Sequence, residues 1–209
     1  MNGLIVTGTD TDVGKSVVAA MLTLGLNGAY YKPTQSGTSE GTDRDAIKAM
    51  TGLGDDRVLA DGITLSQPRS PHYAAELDGV EIDLNAIAPP ETERLLIVEG
   101  AGGLMVPVTR DTLFIDLFKA WKLPVVLVAR TGLGTLNHTL LSLEALRARG
   151  IEVLGVAFVG DENEDNQRTI AEMGDVKVLG RVPMLSEINA DTLTQVFNEN
   201  FAKNWELTL

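Results

Sequence analysis

Residues 8–16 read Gly8-Thr9-Asp10-Thr11-Asp12-Val13-Gly14-Lys15-Ser16. The glycines let backbone N–H groups approach an anion. Lys15 brings a full positive charge, and the Ser16 hydroxyl can ligate a divalent cation. Together these residue types suit the phosphates of a nucleotide carrying Mg²⁺. The spacing from Gly8 to Gly14 is one residue longer than the common Gly-x-x-x-x-Gly-Lys pattern, and Asp10 and Asp12 bring two acids to a polyanion site. A glycine-rich turn that binds nothing is the competing reading.

Three more groups can do chemistry near such a loop. Lys32, in Lys32-Pro33-Thr34-Gln35-Ser36-Gly37, can hold a second anion; alone it would read as a solvated surface lysine. Glu99 follows the apolar run Leu95–Val98 and precedes Gly100-Ala101-Gly102-Gly103. A carboxylate there can bind Mg²⁺ directly or through water, or it can cap a helix. Asp43-Arg44-Asp45 opens a helix, with Asp43 the better N-cap by position. With no cysteine and only two histidines, thiolate sites and cysteine nucleophiles are excluded and a histidine-rich metal site is disfavoured. His72, after Ser70-Pro71, reads as a structural loop histidine ahead of a general base, and His138 as a packed helix residue. Trp121 and Trp205 read as packing residues.

These groups need elements to hold them. Apolar runs at 4–6, 29–32, 95–98, 124–129 and 153–159 read as strands. Helices are expected over 16–26, 43–50, 114–121, 136–149, 165–173 and 193–201, with an irregular insertion over 51–90. Uniformly apolar strands alternating with helices predict an α/β domain, mostly parallel, with helices on both faces of the sheet. Ligands in such sheets sit at the carboxyl ends of the strands, where Gly8, Lys32 and Glu99 fall. A single domain spanning 1–209 is expected. The net charge of −12 argues against nucleic acid and anionic membranes as partners. No secretory signal or spanning segment is visible, so the cytoplasm is the expected location.

The loop at 8–16 resembles the Gly-Thr-Asp-Thr-acid-Val-Gly-Lys-Ser/Thr loop of dethiobiotin synthetases at every position. Lys32–Gly37 resembles their Lys-Pro-x-x-Ser-Gly element, Ser70-Pro71-His72 their Ser-Pro-His segment, and Val98–Gly103 their Val-Glu-Gly-Ala-Gly-Gly element. The resemblance implies a single-domain P-loop NTPase fold and an ATP- and Mg²⁺-dependent cyclo-ligase of biotin biosynthesis. That enzyme carboxylates 7,8-diaminononanoate with CO₂ and closes the ring to dethiobiotin, leaving ADP and phosphate. It further implies catalytic roles for Lys15 and Lys32, and Mg²⁺ ligation by Ser16, Asp45 and Glu99. Nucleotide contacts are implied at Thr11, Asp12, Val13, Gly14, Lys15, Ser16, Gly160 and Pro183. Many family members carry Asn-Asp where Gly160-Asp161 stands, so relaxed adenine selection is expected here.

In that family the segment matching Gly134-Thr135-Leu136-Asn137 comes from a neighbouring subunit. The resemblance thus implies a homodimer with substrate contacts at Thr11, Ser36, Gly134, Thr135, Leu136 and Asn137. The start of the 136–149 helix is itself a natural anion site, suited to the substrate's carboxylate. Leu140, Leu141 and Leu143 can serve either an interface or the core. Two alternatives carry similar loops. A cobyrinic-type amide synthetase needs a cysteine nucleophile that this chain lacks. A partitioning-type switch ATPase usually has an extra lysine early in the loop, where Thr9 and Asp10 stand.

Overall fold

The computed structural model describes residues 2–39 and 41–205. Strand β1 (Gly3–Gly8) is buried along its whole length, as Leu4-Ile5-Val6 requires. Helix α1 (Lys15–Gly25) follows, then β2 (Ala29–Tyr31), β3 (Thr34–Ser36) and α2 (Asp43–Thr51). Next come β4 (Ile63–Leu65), α3 (Pro71–Asp78), β5 (Leu96–Gly103), α4 (Phe114–Trp121) and β6 (Val125–Arg130). The chain continues through α5 (Thr135–Ala148), β7 (Val153–Val159), α6 (Glu164–Gly174), β8 (Val178–Val182) and α7 (Ala190–Val196). A π-helical turn at Phe197–Phe201 and a 3-10 turn at Ala202–Asn204 follow.

The main sheet runs β2-β5-β1-β6-β7-β8, and all its pairs are parallel. Strand side chains alternate between two cores. Leu4, Val6, Ile97 and Val126 pack with α1, α2 and α7 through Met21, Leu22, Ile47 and Leu193. Ile5, Leu96, Val98 and Val125 face the other way, onto Phe114, Ile115 and Phe118 of α4. Leu143 of α5 and Ile170 of α6 close that face over β6 and β7. Helices thus cover both faces, as strands apolar on both sides demand.

Three departures from the sequence reading concern the site. Strand β5 does not stop before the glycines but runs through Glu99 to Gly103, pairing Gly8 with Gly103. Strand β8 was not anticipated, because Gly180 and Arg181 interrupt its apolar run. The irregular insertion contains α3 and β4, and β4 pairs in parallel with β3 just beyond Pro33. Among the described residues no helix is long and apolar enough to cross a membrane.

Candidate active site

Gly14 stands at the N-cap of α1 with φ 95°, a left-handed conformation suited to glycine, and no side chain caps the helix. The first-turn N–H groups therefore point into the loop without a side-chain partner. Lys15 is only 7% exposed and donates to the Asp10 carbonyl at 2.8 Å. Burial holds its ammonium below the usual lysine range, against the opposing pull of Glu99. An incoming phosphate would favour the charged form. The acids of the loop have a counterweight that the sequence reading missed. Arg130, at the end of β6, donates to the Thr11 carbonyl at 3.1 Å and lies 3.7 Å from the Asp10 carboxylate.

Glu99 is 1% exposed and sits where four elements converge. Its Oε1 accepts from Ser16 Oγ and from Lys32 Nζ, each at 2.9 Å. Its Oε2 accepts from the Tyr30 hydroxyl at 2.9 Å. Lys32 also donates to the Gly100 carbonyl at 3.3 Å and pairs with Asp43. Burial alone would depress the Lys32 ammonium, but Glu99 and Asp43 together outweigh it and raise its pKa above the ordinary value. Lys32 is therefore a charged lysine inside the protein rather than a solvated one.

The two acids of α2 face different surroundings. Thr42, not Asp43, is the N-cap. Asp45 closes a capping box: its Oδ2 accepts from Thr42 N at 3.1 Å and Thr42 Oγ1 at 2.7 Å, and its N–H donates back to Thr42 Oγ1 at 3.1 Å. The Asp45 carboxylate caps its own helix and stands outside the cavity, whereas Asp43 lines it. Residues two apart on a helix point roughly 200° away from each other, so only one of these acids can face the site. Gln35 fixes Asp43 there, accepting from its backbone N–H at 3.0 Å while donating to the Gly37 carbonyl at 2.9 Å.

A cavity of about 720 Å³ opens over this cluster. Thr11, Asp12, Gly14, Lys15 and Ser16 line it from the phosphate loop. Lys32, Ser36, Asp43 and Glu99 line it from the strand ends and α2. Val13 is instead buried in the core. Ser16 Oγ, Glu99 and Asp43 give an all-oxygen donor set with two carboxylates, which fits Mg²⁺ held with some of its own water. Thr34 Oγ1 and Ser36 Oγ, on the same side of β3, have no hydrogen-bond partner among the described residues.

Other expected residues lie elsewhere. Gly160 and Pro183 meet beyond the ends of β7 and β8, where Gly160 N donates to the Val182 carbonyl at 3.0 Å. This place adjoins the phosphate loop, because Val159 packs directly on Gly14. Gly134-Thr135-Leu136-Asn137 opens α5 but does not line this chain's cavity. The Thr135 hydroxyl is spent on the Arg130 carbonyl at 2.6 Å, while Asn137 is exposed. Leu140 and Leu143 pack towards Gly174, and Leu141 is exposed. His72 lies in the first turn of α3, outside the cavity. His138 is exposed rather than packed.

Comparison with known proteins places this site in context. The family described as an AAA domain matches residues 2–192. Among solved structures, the Pyrococcus furiosus cell division ATPase MinD superposes with a TM-score of 0.53 at 13% identity, covering 95% of this chain and 98% of that one. A ParA family ATPase from Chlorobium tepidum gives 0.56 at 9% identity, covering 93% and 97%. At such identities the likeness is one of fold. Sequence relatives are far nearer. The ATP-dependent dethiobiotin synthetase BioD of Rhodopseudomonas palustris strain HaA2 is 54% identical, over 95% of this chain and 93% of its own. That of Novosphingobium aromaticivorans is also 54% identical, over 96% and 97%. With about half its residues shared along nearly its whole length, this chain belongs to the dethiobiotin synthetase family.

Proposed function

We propose that the cavity converts 7,8-diaminononanoate, CO₂ and ATP into dethiobiotin, ADP and phosphate, within a single domain spanning 1–209. The chain is an ATP-dependent dethiobiotin synthetase, and the proposal concerns how its residues do this. The observation that carries it is the Glu99 cluster, which joins the phosphate-loop serine to a buried, charged lysine.

The α1 N-terminus and Lys15 receive the β- and γ-phosphates. Ser16, Glu99 and Asp43 would hold Mg²⁺, which supplies charge neutralisation on the triphosphate. One substrate amine adds to CO₂ and loses a proton, giving a carbamate. Lys32 binds this anion and directs its oxygen at the γ-phosphorus, and the bond to ADP breaks as the new P–O bond forms. The second amine then attacks the carbamoyl carbon and loses its proton. The ring closes as the C–O bond to phosphate breaks. Lys15 and the loop N–H groups stabilise charge on the phosphoryl group in flight. Thr11 and Ser36 orient the diamine, the latter with a hydroxyl that has no partner among the described residues. Gly160 and Pro183 border the base. No step needs a covalent nucleophile, in keeping with a chain without cysteine.

The substrate's carboxylate end is assigned to the α5 N-terminus of a second copy, making the enzyme a homodimer acting in the cytoplasm. What supports this is that Gly134–Asn137 leave their own chain's cavity unlined. The decisive assay is phosphate release from ATP with and without the diamine and bicarbonate. Release that is strong without the diamine and unchanged by it would sink the reading. For the shared site, inactive Lys15→Ala and Asn137→Ala proteins are mixed and allowed to exchange subunits. Recovered activity supports sharing; inactivity in verified mixed dimers refutes it.

A further inference from the structure

Tyr30 has no part in the reaction as derived, yet it holds one whole oxygen of the central carboxylate. It is 0% exposed, in the middle of β2, the edge strand of the main sheet. Its backbone is fixed on both sides. It pairs with Ile97 of β5, and beyond the sheet edge its N–H donates to the Arg57 carbonyl at 2.7 Å while its C=O accepts from Leu59 N at 2.9 Å. Its ring belongs to the same core as Ile47 and Val58. A phenol so constrained has little freedom to move when a ligand arrives.

The division of labour on Glu99 is unequal. Oε1 takes both ligand-facing partners, Ser16 and Lys32. Oε2 takes only Tyr30. A carboxylate can turn about its last bond and present either oxygen, or both, to a cation. Here the Tyr30 donor fixes that torsion.

Resting on the Mg²⁺–nucleotide assignment above, we infer that Tyr30 is a positioning residue that turns the Glu99 carboxylate so that Oε1, beside Ser16 Oγ, faces the cation. Without the hydroxyl, Oε2 is left buried without a partner and swings toward Lys32 or Ser16. The oxygen set offered to Mg²⁺ is then no longer preset. A charge-assisted hydrogen bond of this kind is worth roughly a tenfold effect when it acts on one state only.

The test is Tyr30→Phe in the full chain, with ADP affinity measured by calorimetry at a series of Mg²⁺ concentrations. Phenylalanine keeps the ring that packs the core. The expected result is equal ADP affinity for both proteins without metal, and a Mg²⁺-dependent gain about tenfold smaller in the variant. A merely structural hydroxyl would lower the melting temperature and leave that gain untouched, which overturns the inference alone. A wild-type protein whose ADP affinity ignores Mg²⁺ overturns the metal assignment, and the inference with it.

Discussion

Lys32 Nζ and Glu99 Oε1 lie 2.9 Å apart, 67 residues distant in sequence, the lysine just past the end of β2 and the glutamate within the neighbouring strand β5. Both are almost wholly buried, at 3% and 1% exposure. A buried ion pair carries a large desolvation cost and persists only when further partners complete it. Asp43, Gly100, Ser16 and Tyr30 are those partners. The result is a lysine held charged inside the cavity, ready to receive an anion without moving from bulk water.

Lys15→Ala should abolish most turnover while leaving the fold intact. Its ammonium is held by one backbone carbonyl, so little structure depends on it. Losing a preorganised charge on the transferring phosphoryl group should cost on the order of 10²-fold or more in kcat. Circular dichroism and phosphate release on the same sample decide the matter. Near-normal turnover by a folded variant would remove Lys15 from the chemistry.

Asp43→Asn and Asp45→Asn should separate cleanly. The first raises the Mg²⁺ concentration needed for half-maximal activity, because Asp43 lines the cavity and pairs with Lys32. The second leaves the Mg²⁺ curve unchanged and lowers the melting temperature, because Asp45 completes the Thr42 capping box. A shifted Mg²⁺ curve for the Asp45 variant alone would restore it as the ligand.

Alkaline titration offers a third check. Burial, with Asp61 adding to it, pushes the Tyr31 phenol up from 10.0 to about 12. The unfolded tyrosine then loses its proton first, so the folded state binds more protons between these values. Stability from this group is complete below pH 10.0 and falls as pH rises to about 12. Tyrosinate absorbance of the native protein should lack this component until the upper end of that window, and Tyr31→Phe should delete it. Ionisation of Tyr31 at the ordinary pH would contradict its burial.

Gly160→Asn should not install adenine selectivity. Gly160 has φ 129°, and an added Cβ would come within 2.5 Å of Thr131 Oγ1. The variant is expected to lose stability, since most side chains are strained at such a φ. In the wild type, CTP, GTP and UTP should be used within about tenfold of ATP, roughly 1.4 kcal/mol. A much stronger ATP preference would locate base recognition in backbone groups beside Pro183 or in another side chain.

The sequence made the phosphate loop, Lys32 and Glu99 legible because each follows an unbroken apolar run. Assigning the acids of α2 was harder. Asp43 and Asp45 both suit a helix start, and only the position of Thr42 decides which one turns inward. Tyr30 did carry a signal: it shares a strand face with Lys32, two residues on, but an apolar-looking run hid its hydroxyl. Arg130 and β8 were obscured for the opposite reason, being polar residues in or beside strands judged by apolar content.

Gly14 and Val159 touch so closely that a Cβ on the glycine would lie 2.9 Å from both valine methyls. The loop proposed to grip the triphosphate and the strand that leads to Gly160, proposed to border the base, are therefore keyed together like lock tumblers. Engineering one end of the nucleotide site will disturb the other: a bulkier residue at 159 presses on the phosphate grip, and a remodelled grip shifts the base-side loop. Redesign for another nucleotide has to treat positions 14, 159 and 160 as one unit, substituted jointly or left alone.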